Sequence, residues 1–314
     1  MASTFEDAPA AAARSAAPPG APPVWRRLGW LDYAVLVLFV LGIAVIVYRV
    51  STALHYRWNW GAVLDFVVFH DGRTQSWRPN ILLLGLFATL RLVVWASVLA
   101  VVIGVALGVA RASGVPLLRM AARLYIDMIR GIPPLVIVFV FYFFISSQII
   151  PLTGLEPFLR AASPSTIAVV EAIAGPRQLV PAFVSAAICL ALFEAAYIGE
   201  IVRAGIESVE REQWEAARSL SLSWRRTMRF VVLPQAIRRM IPPLASQFIT
   251  LIKDSSIASL IAVQELAFMA AQVAATTSRI FEVWISVAGV YFTLCFGLSV
   301  LFDRIERRMR VRAA

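Results

Sequence analysis

Little in this chain is equipped for covalent chemistry or metal binding. Its 314 residues include two cysteines, two histidines and one lysine. Cys189 and Cys295 each lie within an apolar run, so they suggest neither a disulfide framework nor a thiolate metal site, and they read as small buried hydrophobes. His55 and His70 share one polar connection without a Cys or carboxylate cluster at ligand spacing, so they read as solvated loop residues and no metal ligand is expected. The lysine, Lys253, follows Leu251 and Ile252, so the chain has no Gly-x-x-x-x-Gly-Lys-Ser/Thr loop to cradle nucleotide phosphates, and no ATPase is expected within it.

Charge is also scarce. Charged residues make up 15% of the chain against 60% hydrophobic, and the mean hydropathy is +0.78. That balance belongs to a chain solvated by membrane lipid and not to a soluble globular domain. The net charge of +10 comes from arginines clustered in short stretches between apolar runs. No basic face interleaved with aromatics appears, so orientation in a membrane explains these arginines and no nucleic-acid partner is expected.

A helix needs about twenty apolar residues to cross the hydrocarbon core, because it rises only about 1.5 Å per residue. Six segments qualify: Leu31 to Tyr48, Leu92 to Ala110, Leu135 to Ile150, Pro181 to Ile201, a broken stretch from Ile241 to Ala274, and Val283 to Phe302. The expected fold class is therefore an all-α polytopic membrane protein with about six transmembrane helices. Starting the second span at Leu92 puts Arg91 at the interface, where its stem can snorkel to water. Residues 1–30 are rich in Ala and Pro and read as a disordered tail. The first apolar run begins too late for a cleaved signal peptide, so 31–50 is expected to stay as an additional N-terminal span.

Arginines decide the orientation, since cytoplasmic loops are enriched in them. Arg26 and Arg27 precede the first span, Arg111, Arg119 and Arg123 follow the second, Arg211 to Arg239 follow the fourth, and Arg304 to Arg312 close the chain. With six spans all of these lie on one side, so both termini are expected in the cytoplasm and 306–314 forms a basic cytoplasmic tail. The connections over 51–80 and from Pro151 to Val180 have sparser arginines balanced by acids and are expected to face the periplasm. The four prolines of the second, Pro151, Pro157, Pro164 and Pro176, predict an irregular loop or short surface helices.

Between the fourth span and the next apolar run lies a polar stretch from Glu207 to Met240. Ile206, Val209, Trp214, Ala217 and Leu220 recur at helical spacing and predict one amphipathic surface helix. A turn at Ser221 to Ser223 follows, then a second helix from Trp224 that Pro234 is expected to end or kink, because proline cannot donate its backbone hydrogen bond. Periodicity alone leaves open whether this two-helix hairpin merely connects two spans.

Glu215-Ala216-Ala217, three residues, Ser221, nine residues, then Val231-Val232-Leu233-Pro234 resembles the EAA loop of ABC importer permeases. Tyr197-Ile198-Gly199-Glu200-Ile201-Val202-Arg203-Ala204-Gly205, Arg130-Gly131-Ile132-Pro133-Pro134, Gln247-Phe248 and Lys253-Asp254-Ser255-Ser256 are similar to the polar amino-acid permease family within that group. The resemblance covers roughly 80–310 and implies a permease domain over 81–305. Ser221 departs from the family's usual glycine, which a left-handed turn favours; serine is expected to hydrogen-bond locally there. The additional N-terminal span and the long periplasmic connections also depart from the five-span core of shorter members.

The resemblance implies that the loop, comprising Glu215, Ala216, Ala217, Leu220, Ser221, Leu233 and Pro234, docks on a separate ATP-binding subunit that holds ATP and Mg. It further implies a periplasmic solute-binding protein and a second permease, either a copy of this chain or a homologue. No cofactor is expected on this chain. For the translocation path, ionisable residues inside spans are informative, because a charge in hydrocarbon is costly unless it faces a cavity or a partner. Glu194, Lys253, Asp254 and Glu265 are the candidates, with Lys253 meeting a carboxylate and Glu194 or Asp254 an ammonium. Lys253 and Asp254 have a second reading, as a structural pair near the cytoplasmic interface. Asp254-Ser255-Ser256 suits a break beside a polar cavity. Glu200 and Arg203 are three apart and predict an ion pair, and Arg130 is expected to set the opening of the third span. An intramembrane enzyme would need a nucleophile paired with histidine or a metal inside the spans, and both histidines lie outside them, so no catalytic residue is expected.

Overall fold

The structure is a computed structural model that describes residues 29–53, 56, 58–72 and 75–311. The tail expected over 1–30 lies almost wholly outside the described residues, as do Arg26, Arg27, His55 and Arg312. Two compact units divide after Trp58. The first holds α1, Trp30–Ala53, whose carboxylate Asp32 accepts the Gly29 N–H at 2.8 Å, at the helix end where an acid is favoured.

In the second unit a short helix α2, Gly61–Val67, leads into a hairpin of β1, Val68–Asp71, and β2, Ser76–Pro79, an addition that the all-helical expectation did not contain. His70 is exposed on β1, edge-on to Trp77 at 5.3 Å. Residues 59–80 pack against the helices that follow. The Asn59 N–H donates to buried Glu282 at 2.8 Å, and Val63 packs with Leu82, Leu266 and Val283.

The helix α3 spans Ile81–Ala112. It begins well before Leu92 because Asn80 caps it, accepting the Ile81 N–H at 2.8 Å and donating to the Asp65 carbonyl at 2.5 Å. Arg91 therefore lies inside the helix and not at its end, with Nη1 donating to the Glu171 carbonyl. The amphipathic α4, Pro116–Gly131, buries Ala122, Ile126 and Ile129. The third span starts at Pro133-Pro134 and comprises α5, Pro134–Val140, a π turn at Phe141–Ser146, and α6, Ser147–Leu152. Arg130 closes α4 just before it, with its guanidinium 5.6 Å from the Tyr197 ring. Short helices α7, Leu155–Ala161, and α8, Pro164–Ala174, follow as the prolines predicted.

The central helix is α9, Val180–Glu207, which runs in the same direction as α3. Their contact depends on small residues: a Cβ on Gly104 would lie 2.6 Å from Ile198 Cγ2, and one on Gly108 would lie 2.5 Å from Val202 Cβ and 2.6 Å from the Gly199 carbonyl oxygen. Only glycine lets the two backbones approach this closely. We expect Gly108→Ala to cost about 1–3 kcal/mol through overpacking, read as a lowered thermal midpoint of the purified chain. An unchanged midpoint would show that the helices can separate freely.

The loop after α9 contains α10, Arg211–Ser219, and α11, Trp224–Thr227. The expected single amphipathic helix is thus broken. Ile206 still belongs to α9, and Val209 lies in the turn before α10, although both are buried with Met228 and Val232. Pro234 does not end the second helix. A π turn at Met228–Val232 widens the backbone just before it, and α12, Leu233–Asp254, continues with Pro234 in its first turn, where the missing N–H is tolerated.

The stretch after α12 tightens into a 3-10 segment, Ser255–Ile261, and bends by 51° before α13, Leu266–Thr277. The sharp break therefore falls at Ala262–Glu265, where Ala262 takes φ 58, and not at Asp254-Ser255-Ser256. The last helix, α14, Ile280–Val311, carries on through most of the expected basic tail. Among the described residues five helices are long and apolar enough to cross a membrane, or six if the bent pair counts as one span.

Candidate functional site

The α10 loop is built as a rigid projection. Ala217 is buried and Trp214 half-buried against the cluster of Val209, Met228 and Val232. Gln235 Nε2 donates to the Val231 carbonyl at 3.0 Å, and Arg239 donates to the Ser208 carbonyl, tying the start of α12 to the end of α9. At the C-terminus of α10 the Ser221 N–H bonds the Arg218 carbonyl at 2.8 Å and the Leu222 N–H bonds the Ala217 carbonyl at 3.1 Å. This paired closure requires a left-handed residue, and Ser221 supplies it with φ 55. Serine thus occupies the glycine conformation itself. The turn is held by backbone bonds, and no hydrogen bond of the Ser221 hydroxyl contributes among the described residues.

Opposite this anchored face, Glu215, Ala216, Arg218 and Leu220 are exposed. Glu215 accepts from Arg211 Nε at 2.9 Å, but both side chains are more than half exposed, so the pair adds little and leaves the carboxylate available. Leu220 is 74% exposed, Trp224 49% and Phe230 67%, so three large apolar side chains of the loop are open to its surroundings. Trp224 and Phe230 were not among the sequence candidates, because periodicity reports which residues share a face but not whether that face is covered. Leu233 is half-buried and Pro234 exposed at the root of the loop.

Just inside the loop an ion network joins three helices. Glu200 pairs with Arg203 at 2.5 Å, as the spacing predicted, and also with Arg111 of α3 at 2.7 Å. Arg111 approaches Asp127 of α4 at 3.6 Å, and Arg203 also binds Glu207. Arg111 and Asp127 were not foreseen as partners, since only the fold brings residues so distant in sequence together.

The four path candidates separate. Glu194 stands in the middle of α9, 1% exposed; its Oε2 accepts from Gln247 Nε2 at 2.6 Å, while its Oε1 is buried without a partner. It lines a cavity of about 300 Å³ with Ser97, Gln247, Leu251 and Phe302. Asp254 is half-buried and shares the face of α12 that carries Gln247, seven residues away. Lys253 is exposed on a different face, and no ion pair joins it to Asp254 among the described residues. About 30 Å of helix separates this pair from Leu233, so it does not lie near the α10 end. Glu265 is not among the residues that line the Glu194 cavity. It is fully buried at the N-cap of α13, accepting from the Phe268 N–H at 2.8 Å, Tyr291 OH at 2.9 Å and Thr89 Oγ1 at 3.2 Å, which is a structural assignment. No group of three or more His, Cys, Asp or Glu among the described residues is placed to hold a metal.

These features have counterparts in known proteins. Residues 100–311 match the family described as binding-protein-dependent transport system inner membrane component. A probable glutamine ABC transporter permease of Bacillus subtilis is 34% identical over 225 residues, covering 72% of this chain and 91% of the relative. The L-cystine transport system permease of the same organism is 35% identical, covering 75% and 88%. The glutamate transport system permease of Corynebacterium glutamicum is 31% identical, covering 77% and 79%. A crystal structure of an amino acid ABC transporter with histidines superposes with a TM-score of 0.61 at 30% identity, over 81% of this chain and 100% of that one. An inward-facing methionine ABC transporter shares the fold, with a TM-score of 0.53 at 19% identity over 73% and 95%. With a family match over residues 100–311 and 34% identity to a relative covered over 91% of its length, the chain belongs to the family of binding-protein-dependent transport system inner membrane components.

Proposed function

We propose that this chain is the membrane-spanning permease subunit of an ATP-driven importer and carries a polar amino acid, of the kind named for its relatives, from periplasm to cytoplasm. The observation that carries the reading is α10, an exposed helix closed by a left-handed Ser221 and fixed rigidly where α9 ends and α12 begins. A separate subunit binds ATP and Mg and receives Leu220, Trp224 and the Glu215 side of α10 in a cleft, as a short helix docks by its apolar face. Closure of that subunit around ATP moves α10, and α9 and α12 follow, because ATP can drive transport only by biasing a two-state element.

The arginine-rich α10 end faces the cytoplasm of a bacterial inner membrane, with both termini on that side. A solute-binding protein delivers the substrate at the opposite face, and a second permease, identical or homologous, completes the pathway. The permease domain is the segment 81–305, and 31–50 is an additional span. Inside, Glu194 and Gln247 face the cavity in which the substrate's ammonium finds an acceptor in Glu194 Oε1.

The test is uptake of radiolabelled glutamine, glutamate or cystine into proteoliposomes that contain the chain, its co-purifying ATPase subunit and the matching binding protein. Accumulation that requires ATP and all three components is the expected result. Leak without ATP, or no accumulation of any amino acid, would overturn the reading.

A further inference from the structure

Arg91 takes no part in the coupling described above. It stands inside α3, about 30 Å of helix from Arg111 at the α10 end, so about one hydrocarbon thickness separates the two arginines. Its Nη1 donates to the Glu171 carbonyl at 3.4 Å, at the negative end of the α8 dipole. Gly175, with φ 92, lies against the same guanidinium, so that a Cβ there would come within 3.2 Å of Nη2. Its Nε is buried without an acceptor, and no acidic side chain among the described residues forms an ion pair with it.

Beside Arg91 is a cavity of about 110 Å³, bounded by Leu84, Ala88, Phe183, Val263 and Gln264. A water needs about 10–15 Å³ of such space, so the cavity has room for a carboxylate group. Its walls are apolar apart from Arg91 and Gln264, and the bend supplies Ala262, Val263 and Gln264 to its lining.

We propose that Arg91 and Gln264 form a receiving site for the carboxylate of an amino acid, on the periplasmic side of the Glu194 cavity. The proposal rests on the reading of this chain as an amino-acid permease. A carboxylate in the cavity that Arg91 lines supplies the counter-charge that no acidic side chain among the described residues provides. Arginine suits this task because its planar fork matches a carboxylate, and apolar walls strengthen the attraction. The substrate thus meets first a cation for its carboxylate and, further along α9, an acceptor for its ammonium.

The test uses the full chain in lipid nanodiscs, with Cys189 and Cys295 replaced by serine and Ala88→Cys placed in the cavity wall as a maleimide target. L-glutamine is expected to slow the labelling of residue 88, whereas its α-carboxamide, which lacks the carboxylate, does not. Arg91→Gln should weaken the protection about tenfold or more, the size of one charge-assisted hydrogen bond, and Arg91→Lys should weaken it less. Thermal unfolding reports whether Arg91→Gln folds; if it does not, the comparison of amino acid with amide on the parent chain decides. Labelling unaffected by L-glutamine, equal protection by the amide, or undiminished protection in folded Arg91→Gln would each overturn the site. ATP-driven uptake is read separately in the assembled transporter. Uptake without protection removes the Arg91 site and leaves the permease reading standing, whereas protection without uptake does the reverse.

Discussion

Replacing Ser221 by proline is expected to uncouple this permease from its ATPase while leaving the spans folded. Ser221 sits at φ 55, and its N–H bonds the Arg218 carbonyl at 2.8 Å. Proline is locked near φ −65° and has no N–H, so it can neither take the left-handed turn nor make that bond. A cost of about 3 kcal/mol corresponds to about a hundredfold loss in the population of the closed loop, and ATP-driven uptake and ATPase association should fall by a similar factor. Ser221→Gly supplies the opposite control. It removes the left-handed penalty of about 1–2 kcal/mol, so the loop should be stabilised and association maintained or strengthened. Glu215→Ala should weaken association without lowering the thermal midpoint, because the carboxylate is exposed. If Ser221→Pro and Glu215→Ala both leave association and uptake unchanged, α10 is not the coupling element.

Glu194→Gln is expected to have the second large effect, on substrate passage and not on coupling. The substitution keeps an oxygen to accept from Gln247 and nearly preserves the volume, so the buried hydrogen bond at 2.6 Å has a replacement. It removes the ionisable group whose other oxygen is buried without a partner, on a residue that lines the cavity. A hydrogen bond to a charged group is worth about 1.5–3 kcal/mol, so uptake at limiting substrate should fall about tenfold to a hundredfold. ATPase association should persist. Transport with unchanged rate and substrate preference in Glu194→Gln would remove this residue from the path. Glu194→Ala is a poorer test of that point, since it strands the Gln247 donor in an apolar interior and lowers stability as well.

The success of the sequence reading depended on whether the signal was local. The turn at Ser221 and the Glu200–Arg203 pair are legible because each is built from residues within one turn of each other, although backbone bonds and not the expected serine hydroxyl close the turn. The α10 helix is shorter than the spacing predicts. Ile206 and Val209 sit at the right spacing to share a face with Trp214, but α9 continues through Ile206 and the chain turns before α10, so burial comes from three elements meeting and not from one helix. Counting residues back from Ala110 puts Arg91 at an interface, but it does not show where the helix begins or what the arginine meets. Asn80 starts the helix earlier, and the arginine donates to the Glu171 carbonyl of α8. Glu265 looked like a path residue because an acid in an apolar segment is costly, and the same cost is met by capping α13 and bonding Thr89 and Tyr291.

By itself the sequence determined that this chain lies in a membrane, which segments are apolar enough to cross it, and where the projecting loop begins and turns. Hydropathy, proline and the left-handed preference act over a few residues and leave their mark in consecutive letters. Only the tertiary structure decided that Gln247 meets Glu194, that Asp254 and Lys253 take different faces, and that Arg91 borders a cavity with Gln264. Those outcomes depend on how closely α3, α9 and α12 approach and in which register. That approach is set by glycines such as Gly104 and Gly108 and by contacts between residues far apart in the chain, which no single segment encodes.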